Sequence, residues 1–411
     1  MKLIPRLLTL GTIWPLLLAP VFADGTGTGG AAKTLVLDGR GMSRVRARLA
    51  DPGSNLGPAL AELRQEADLC LSAGPWTVVA KEVIPPSGDK HDYMSVGPYW
   101  WPDPQQPDGL PYIRRDGEVN PERMDYDNVG LSNTAHNSLT LALAWYFTQN
   151  PAYCDHASEL LRTWFLRPDT RMNPNLNFGQ AIPGRTEGRG IGIIDTTSLI
   201  QVVDAALILE SSEAWTGEDA DALREWFAAY LDWLRTSPHG QAEARTKNNH
   251  GTWYDAQVAC FAIYAGFPDV ARTVLNSSAK TRIASQIGPN GQQPLELART
   301  KSWDYSVMNL KGFFTLASLA EHLDVDLWTY QPSSGGRIRV ALDWLLPFAK
   351  RESTWKHEQI TEFAGSKLAA LLRRASVAYD DSRYESAIHD VMPAEELNEA
   401  RFQLTHAAVV P

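Results

Sequence analysis

The sequence predicts an all-α protein, a long series of amphipathic helical hairpins curved into a double layer. Apolar residues recur at 3.6-residue spacing along most of the chain. Short polar or Pro/Gly breaks separate those stretches, and no strong strand signal competes with them. Hairpins recur at roughly 35–50 residues without strict sequence repeats, which argues against a solenoid with a fixed code. Such a series buries its apolar faces by closing toward a barrel of inner and outer helices, with a groove where loops collect at the ends of the inner ones.

Met42 to Leu71 carries Val45, Leu49, Leu60, Leu63, Ala67 and Leu71 at helical spacing, broken at Pro52-Gly53. Ser132 to Phe147 puts Leu139, Leu143 and Phe147 on one face, with Ser132 or Asn133 as cap. Pro151 to Phe165 returns after a tight break. Ile194 to Glu210 pairs with Gly217 to Arg235, and Thr252 to Ala265 with Pro268 to Ser285. Ser302 to His322, Gly336 to Phe348 and Glu358 to Ala375 continue the rhythm, and Tyr384 to Met392 is a last short helix. Two long loops interrupt it, Val83 to Val129 and Asn173 to Ile193. Loops of this length inside a compact domain are functional or disordered, and their aromatic and Arg content argues against disorder.

The first 23 of the 411 residues read as a secretory signal: Lys2 and Arg6, an apolar run from Leu7 to Ala19, then Val21-Phe22-Ala23 before the cut. No second long apolar run is evident, so residues 24–411 are expected to form a single soluble domain in the periplasm or outside the cell. With 48 acidic and 38 basic residues the net charge is −10, and about −12 once Lys2 and Arg6 are removed. That balance excludes nucleic acid and anionic membranes as partners. A polyanionic substrate would therefore need a local basic island. Cys70, Cys154 and Cys260 lie far apart in apolar helical stretches without metal-ligand spacing, so they are expected as buried thiols.

The densest polar cluster is Lys247-Asn248-Asn249-His250-Gly251-Thr252-Trp253-Tyr254, just before an apolar helix. A helix start offers free N–H groups to an anion, Asn amides donate, and His takes a proton near neutral pH. One Asn or His there would be a cap; the whole set points to a site. Arg299-Thr300-Lys301-Ser302-Trp303-Asp304-Tyr305-Ser306 also opens a helix. Arg299 can hold a carboxylate bidentately, and Tyr305 becomes an acid if nearby cations lower its pKa. In Ser132-Asn133-Thr134-Ala135-His136-Asn137, Asn133 and His136 share a helical face. Trp100 and Trp101 suit stacking on sugar rings, and Arg185 and Arg189 lie in a Gly-rich basic loop without dinucleotide-binding spacing. HExxH, GxSxG and P-loop signatures are absent, and no cofactor or metal is implied. Asp195, Asp204, Asp255 and Asp304 leave open a glycoside hydrolase with two carboxylates. A non-catalytic sugar-binding protein explains the aromatics and Arg but not an acid–base pair.

Asn249-His250 followed by aromatics, then Arg299 and Tyr305 about fifty residues on, resembles the all-α alginate lyases and their relatives acting on glucuronan. Trp100-Trp101-Pro102-Asp103-Pro104, Ser132 to Asn137 and Gly188 to Asp195 resemble segments of the same domain, so the likeness runs roughly from Tyr93 to His322. The resemblance implies an (α/α) toroid, an incomplete barrel of about six or seven hairpins, and β-elimination at a uronic acid of an acidic polysaccharide. Asn249, His136 and Arg299 would neutralise the uronate carboxylate, and Tyr305 would be the acid. Asn133, Lys247, Tyr254, Trp100, Trp101, Arg185 and Arg189 would hold substrate. Where the C5 hydrogen and O4 lie on one side, Tyr305 serves as base as well; where they lie on opposite faces, His250 does. Gly251-Thr252 after the His, where alginate lyases tend to carry Ser-Tyr, leaves both polymers open.

Overall fold

The computed structural model describes residues 31–407, so the signal segment read at 1–23 lies outside the described residues. The helices are α1 (Gly39–Leu49), α2 (Gly57–Cys70), α3 (Asp127–Thr148), α4 (Pro151–Leu161), α5 (Leu199–Leu209) and α6 (Gly217–Thr236). There follow α7 (Pro238–Ala244), α8 (Asn249–Tyr264), α9 (Pro268–Val274), α10 (Lys280–Gln286), α11 (Pro294–Leu297) and α12 (Ser302–Glu321). The last are α13 (Ile338–Ala349), α14 (Ala369–Ala378), α15 (Ser382–Val391), α16 (Ala394–Glu399) and α17 (Phe402–Thr405). Four short strands lie in the loops: β1 (Met94–Val96), β2 (Trp100–Trp101), β3 (Ile113–Arg114) and β4 (Phe178–Ala181).

The inner helices α3, α5, α8 and α12 pack one on the next in chain order, and α4, α6, α9 and α13 cover them from outside. This is the all-α toroid that the periodicity predicts. In α8 every residue except His250 is buried, so amphipathic patterning fades there. A helix apolar all round belongs to the inside of a large protein. The same holds for 190–209, apolar enough over 20 residues to cross a membrane but 67% buried in the fold.

Local chemistry sets the boundaries. Thr216 and Asp219 form a reciprocal capping box that starts α6. The start of α3 lies five residues earlier than the Ser132 start read from sequence, because Asp127 is tied down from outside the helix. Its carboxylate accepts from the Met94 N–H at 2.8 Å and pairs with the buried Lys81 ammonium at 3.0 Å. Asn133 is therefore mid-helix, not a cap. Glu358 to Ala364, expected as helix, is an extended strap over the start of α12. The Glu358 carbonyl accepts from Ser302 N–H at 3.1 Å, Gln359 Oε1 from Trp303 N–H at 3.0 Å and the Ala364 carbonyl from the Trp303 indole at 3.0 Å. The strap thus meets N–H groups that a helix start leaves open. Two expected partners also differ: α6 packs on α8 and the Arg162–Leu166 turn, and α5 on α3 and α8.

The chain ends meet across the toroid. The buried Asp204 carboxylate accepts from the N–H groups of Leu35 (2.6 Å) and Leu37 (3.0 Å). Asp38 N–H donates to the Thr405 carbonyl at 3.3 Å, and His322 Nε2 bonds the Leu35 carbonyl at 2.9 Å. The three cysteines are free and buried, as expected.

Candidate active site

The starts of α8 and α12 open onto one cleft of about 710 Å³. Its other wall is made by residues 98–100, Arg114 and the segment from Arg189 to Asp195. Five Lys or Arg residues line it (Arg114, Arg189, Lys247, Arg299, Lys301) against Asp195 and Asp304. This is the basic island that a polyanion-binding site on an acidic protein requires.

Asn249, His250, Arg299, Tyr305, Lys247, Trp100 and Arg189, seven of the twelve residues singled out in the sequence, meet there. Strand alternation explains why Trp100 is present and Trp101 is not. In the β2–β3 pair Trp100 stands opposite Arg114, and both face the cleft. Trp101 stands opposite Ile113, with its indole N–H on the Glu118 carbonyl and the Arg115 guanidinium over its ring. Arg185 is placed outside: it stacks on Trp100 at 5.4 Å but lines a separate hollow beside Pro183 and Glu187. Tyr254 is buried, its hydroxyl donating to the Leu234 carbonyl at 2.9 Å, and serves the α6–α8 contact. His136 and Asn133 are also outside the cleft. They lie on the face of α3 that turns toward α2, with His136 exposed. The neighbouring Asn137 bonds Cys70 Sγ and the Asn133 carbonyl.

Two buried carboxylates grip the Asn-His motif from behind. Glu296, on α11, accepts from Asn249 N–H at 2.7 Å and from Asn249 Nδ2 at 2.6 Å. The anion expected at the start of α8 is thus partly supplied by the protein itself. Burial raises the Glu296 pKa, opposed by those two hydrogen bonds. A carboxylate accepting from Nδ2 fixes the amide orientation, leaving Oδ1 and the second Nδ2 hydrogen available; Oδ1 has no partner within the protein. Glu243, on α7, meets His250 Nδ1 at 2.7 Å.

The Tyr305 hydroxyl accepts from Arg299 Nη2 at 2.8 Å and lies 2.8 Å from the Tyr99 hydroxyl, and the guanidinium stacks 3.9 Å from its ring centroid. From sequence, Tyr305 is an acid on condition that nearby cations lower its pKa. It is raised, because burial comes first and the Tyr99 bond second, and together they outweigh Arg299. At neutral pH this phenol carries its proton. Arg299 also forks onto Asp116 (2.8 and 3.2 Å) from the loop after β3. Burial notwithstanding, that pairing holds Asp116 at about 2. Asp116, Glu243 and Glu296 were missed from sequence, because each is single, far in the chain from what it touches, and outside any local pattern; Tyr99 was read only as part of the aromatic cluster with Trp100 and Trp101, not as a partner of Tyr305.

The four carboxylates that left hydrolysis open are all committed. Asp204 and Asp255 are buried, the first on the N-terminal segment and the second on Arg282. Asp195 accepts from Tyr93, Ser95 and Gln180, and Asp304 from Lys367, Gln359 and Thr361. Despite burial, those bonds hold Asp304 below its usual value, the opposite of what a general acid needs.

A toroid of helices with cations, an imidazole and a protonated phenol in one cleft defines a polysaccharide lyase that acts by β-elimination. The sequence profile described as alginate lyase matches residues 77–355. The chain belongs to the alginate lyase family. A crystal structure of an alginate lyase from Bacteroides ovatus is 37% identical, with a TM-score of 0.87 over 92% of this chain and 99% of that one. Alginate lyase A1-III from Sphingomonas species A1 shares the fold at 14% identity and a TM-score of 0.53, over 92% and 98% of the two chains. A variant of A1-III complexed with a tetrasaccharide also has 14% identity, with a TM-score of 0.60 over 93% and 98%. No curated protein matches the chain by sequence.

Proposed function

We propose that this lyase cleaves a 1,4-linked polyuronate, alginate or glucuronan, with His250 as base and Tyr305 as acid. The observation that carries the division of roles is that the Tyr305 hydroxyl, bonded to Tyr99 and Arg299, shares the cleft with an imidazole whose Nδ1 is already engaged, while burial and the Tyr99 bond keep the phenol's proton in place. The C5 hydrogen is α to a carboxylate and barely acidic, so the site must first neutralise that carboxylate. Asn249 Nδ2, Lys247 and Arg299, which line the cleft, would do this. The C5–H bond breaks, its proton passes to His250 Nε2, and the pair it leaves behind spreads into the carboxylate. That pair then forms the C4–C5 double bond as the C4–O4 bond breaks, and O4 takes the Tyr305 proton. One proton leaves C5 and one reaches O4; exchange with water restores both side chains.

Two residues in two roles suit a uronate whose C5 hydrogen and O4 lie on opposite faces, as in guluronate. For mannuronate or glucuronate Tyr305 would have to lose its proton first, and its environment opposes that. Purified protein incubated with polyguluronate, polymannuronate, glucuronan and hyaluronan tests the reading through the ultraviolet absorbance of the unsaturated product. Cleavage of polyguluronate is expected to be fastest; new reducing ends without the chromophore would show hydrolysis and overturn the proposal. The segment at residues 1–23, read from sequence as a secretory signal, supports action in the periplasm or outside the cell, tested by sequencing the N-terminus of the exported protein.

A further inference from the structure

We propose that Glu243 is a positioning residue for the elimination, fixing the His250 tautomer and supplying the counter-charge the imidazole needs once it has taken a proton. The inference rests on His250 acting as base.

Glu243 is 1% exposed, with its Oε1 2.7 Å from His250 Nδ1. A carboxylate only accepts, so neutral His250 must carry its hydrogen on Nδ1. The lone pair is then on Nε2, at the ring edge turned away from Glu243, and His250 lines the cleft. The other Glu243 oxygen, Oε2, is buried with no hydrogen-bond partner. The Arg189 charge acts on Glu243 from beyond hydrogen-bond contact, and His250 is its direct partner; burying a carboxylate costs several kcal/mol that a direct cation offsets, and a purely structural acceptor would avoid that cost by being neutral. The group in contact with this carboxylate is one that becomes cationic in the reaction. Proton transfer from C5 to Nε2 thus sets an imidazolium directly against this buried carboxylate, an ion pair that makes the transfer more favourable.

Considerable local structure is devoted to holding Glu243 there. α7 docks because Gly190 and Gly240 carry no Cβ: one at Gly190 would lie 2.7 Å from the His239 carbonyl oxygen, and one at Gly240 only 1.8 Å from that of Leu234. The end of α7 is held by the buried Arg282, which donates to the carbonyls of Ala244 (2.9 Å) and Thr246 (2.6 Å).

The experiment compares Glu243→Gln and Glu243→Ala in the full chain by kcat, KM and nitrogen-15 NMR of the imidazole. The Ala variant is expected to lose kcat by on the order of 10²–10⁴ with KM nearly unchanged, and to lose the single Nδ1–H tautomer. Gln keeps an acceptor oxygen but no charge, so it should retain the tautomer and still lose kcat by about tenfold or more. The isosteric Gln variant decides the matter if Ala does not fold. Wild-type kcat in a folded Gln variant would overturn the counter-charge role, and an unchanged tautomer in a folded Ala variant the positioning role. The NMR signature is read without substrate, so a wild-type protein with no polyuronate cleavage would sink the proposed function while the tautomer result still stood.

Discussion

Gly251→Ala is expected to impair both stability and turnover, although Gly251 is buried and does not line the cleft. A Cβ there would lie 2.1 Å from Arg282 Nη1, 2.5 Å from its Cζ and 2.4 Å from the Thr246 carbonyl oxygen. The guanidinium must retreat by roughly 1 Å to reach ordinary contact, which breaks its 2.6 Å bond to Thr246. A hydrogen bond to a charged group contributes about 1.5–3 kcal/mol, and crowding the carbonyl adds ~1–3 kcal/mol. The helical preference of Ala over Gly returns about 1 kcal/mol. The balance is a loss of about 1.5–5 kcal/mol, read by denaturant unfolding. Thr246, Lys247 and Asn248 line the cleft, so a displacement of this size should cost kcat on the order of 10²-fold. Gly217→Ala is the control: nothing lies within 4 Å of a Cβ at that position, and it should be neutral or slightly stabilising. A Gly251→Ala protein as stable and active as wild type would refute this account of why Gly follows the His.

Tyr305→Phe should keep the fold by circular dichroism while losing kcat by about 10²–10⁴-fold, since it removes the only proton placed for O4 in the proposed step. Arg299→Lys loses the fork onto Asp116 and the stack on Tyr305, and should lower kcat/KM by about tenfold or more in steady-state assays. Raising ionic strength should raise KM for the polymer, because five cations of the cleft act through screened attraction. Asp204 titrates at about 6, raised by burial against the backbone N–H bonds that pull it down, compared with ~3.9 in an unfolded chain. Its contribution to stability is therefore complete below about pH 4 and lost as the pH rises through 6. Stability of wild type relative to Asp204→Asn should fall by on the order of 2 kcal/mol between pH 4 and 7; parallel stability–pH curves would contradict it.

Helices with a strong apolar repeat and nearby breaks were legible in the sequence: α4, α6, α12 and α15 lie within a few residues of their expected bounds. Boundaries failed where the deciding partner is distant. Asp127 extends α3 because Lys81 and Met94 meet it, and Glu358 to Ala364 stays extended because α12 needs acceptors. The short helices α7 and α11 carry too few residues for a periodic signal, yet they hold Glu243 and Glu296. In the site, groups that open helices could be read, as with Asn249, His250, Arg299 and Tyr305. Trp101 could be separated from Trp100 only once a strand pair gave them opposite faces. The direction of the Tyr305 pKa could not be read, because burial, which raises it, is a tertiary property while the Arg299 charge is visible six residues away.

The crossing of the chain ends governs how the protein is built. Leu35 and Leu37 are gripped by Asp204, and Asp38 by the carbonyl of Thr405. Closure of the ring therefore waits for residues near the last in the chain, and local helices must form long before the contacts that lock them. Proteins dominated by distant pairings fold slowly, because the entropy of closing the loop precedes the gain. Deleting the chain through Asp38, or from Thr405 onward, should open the same seam, so these two segments behave as the two halves of one clasp.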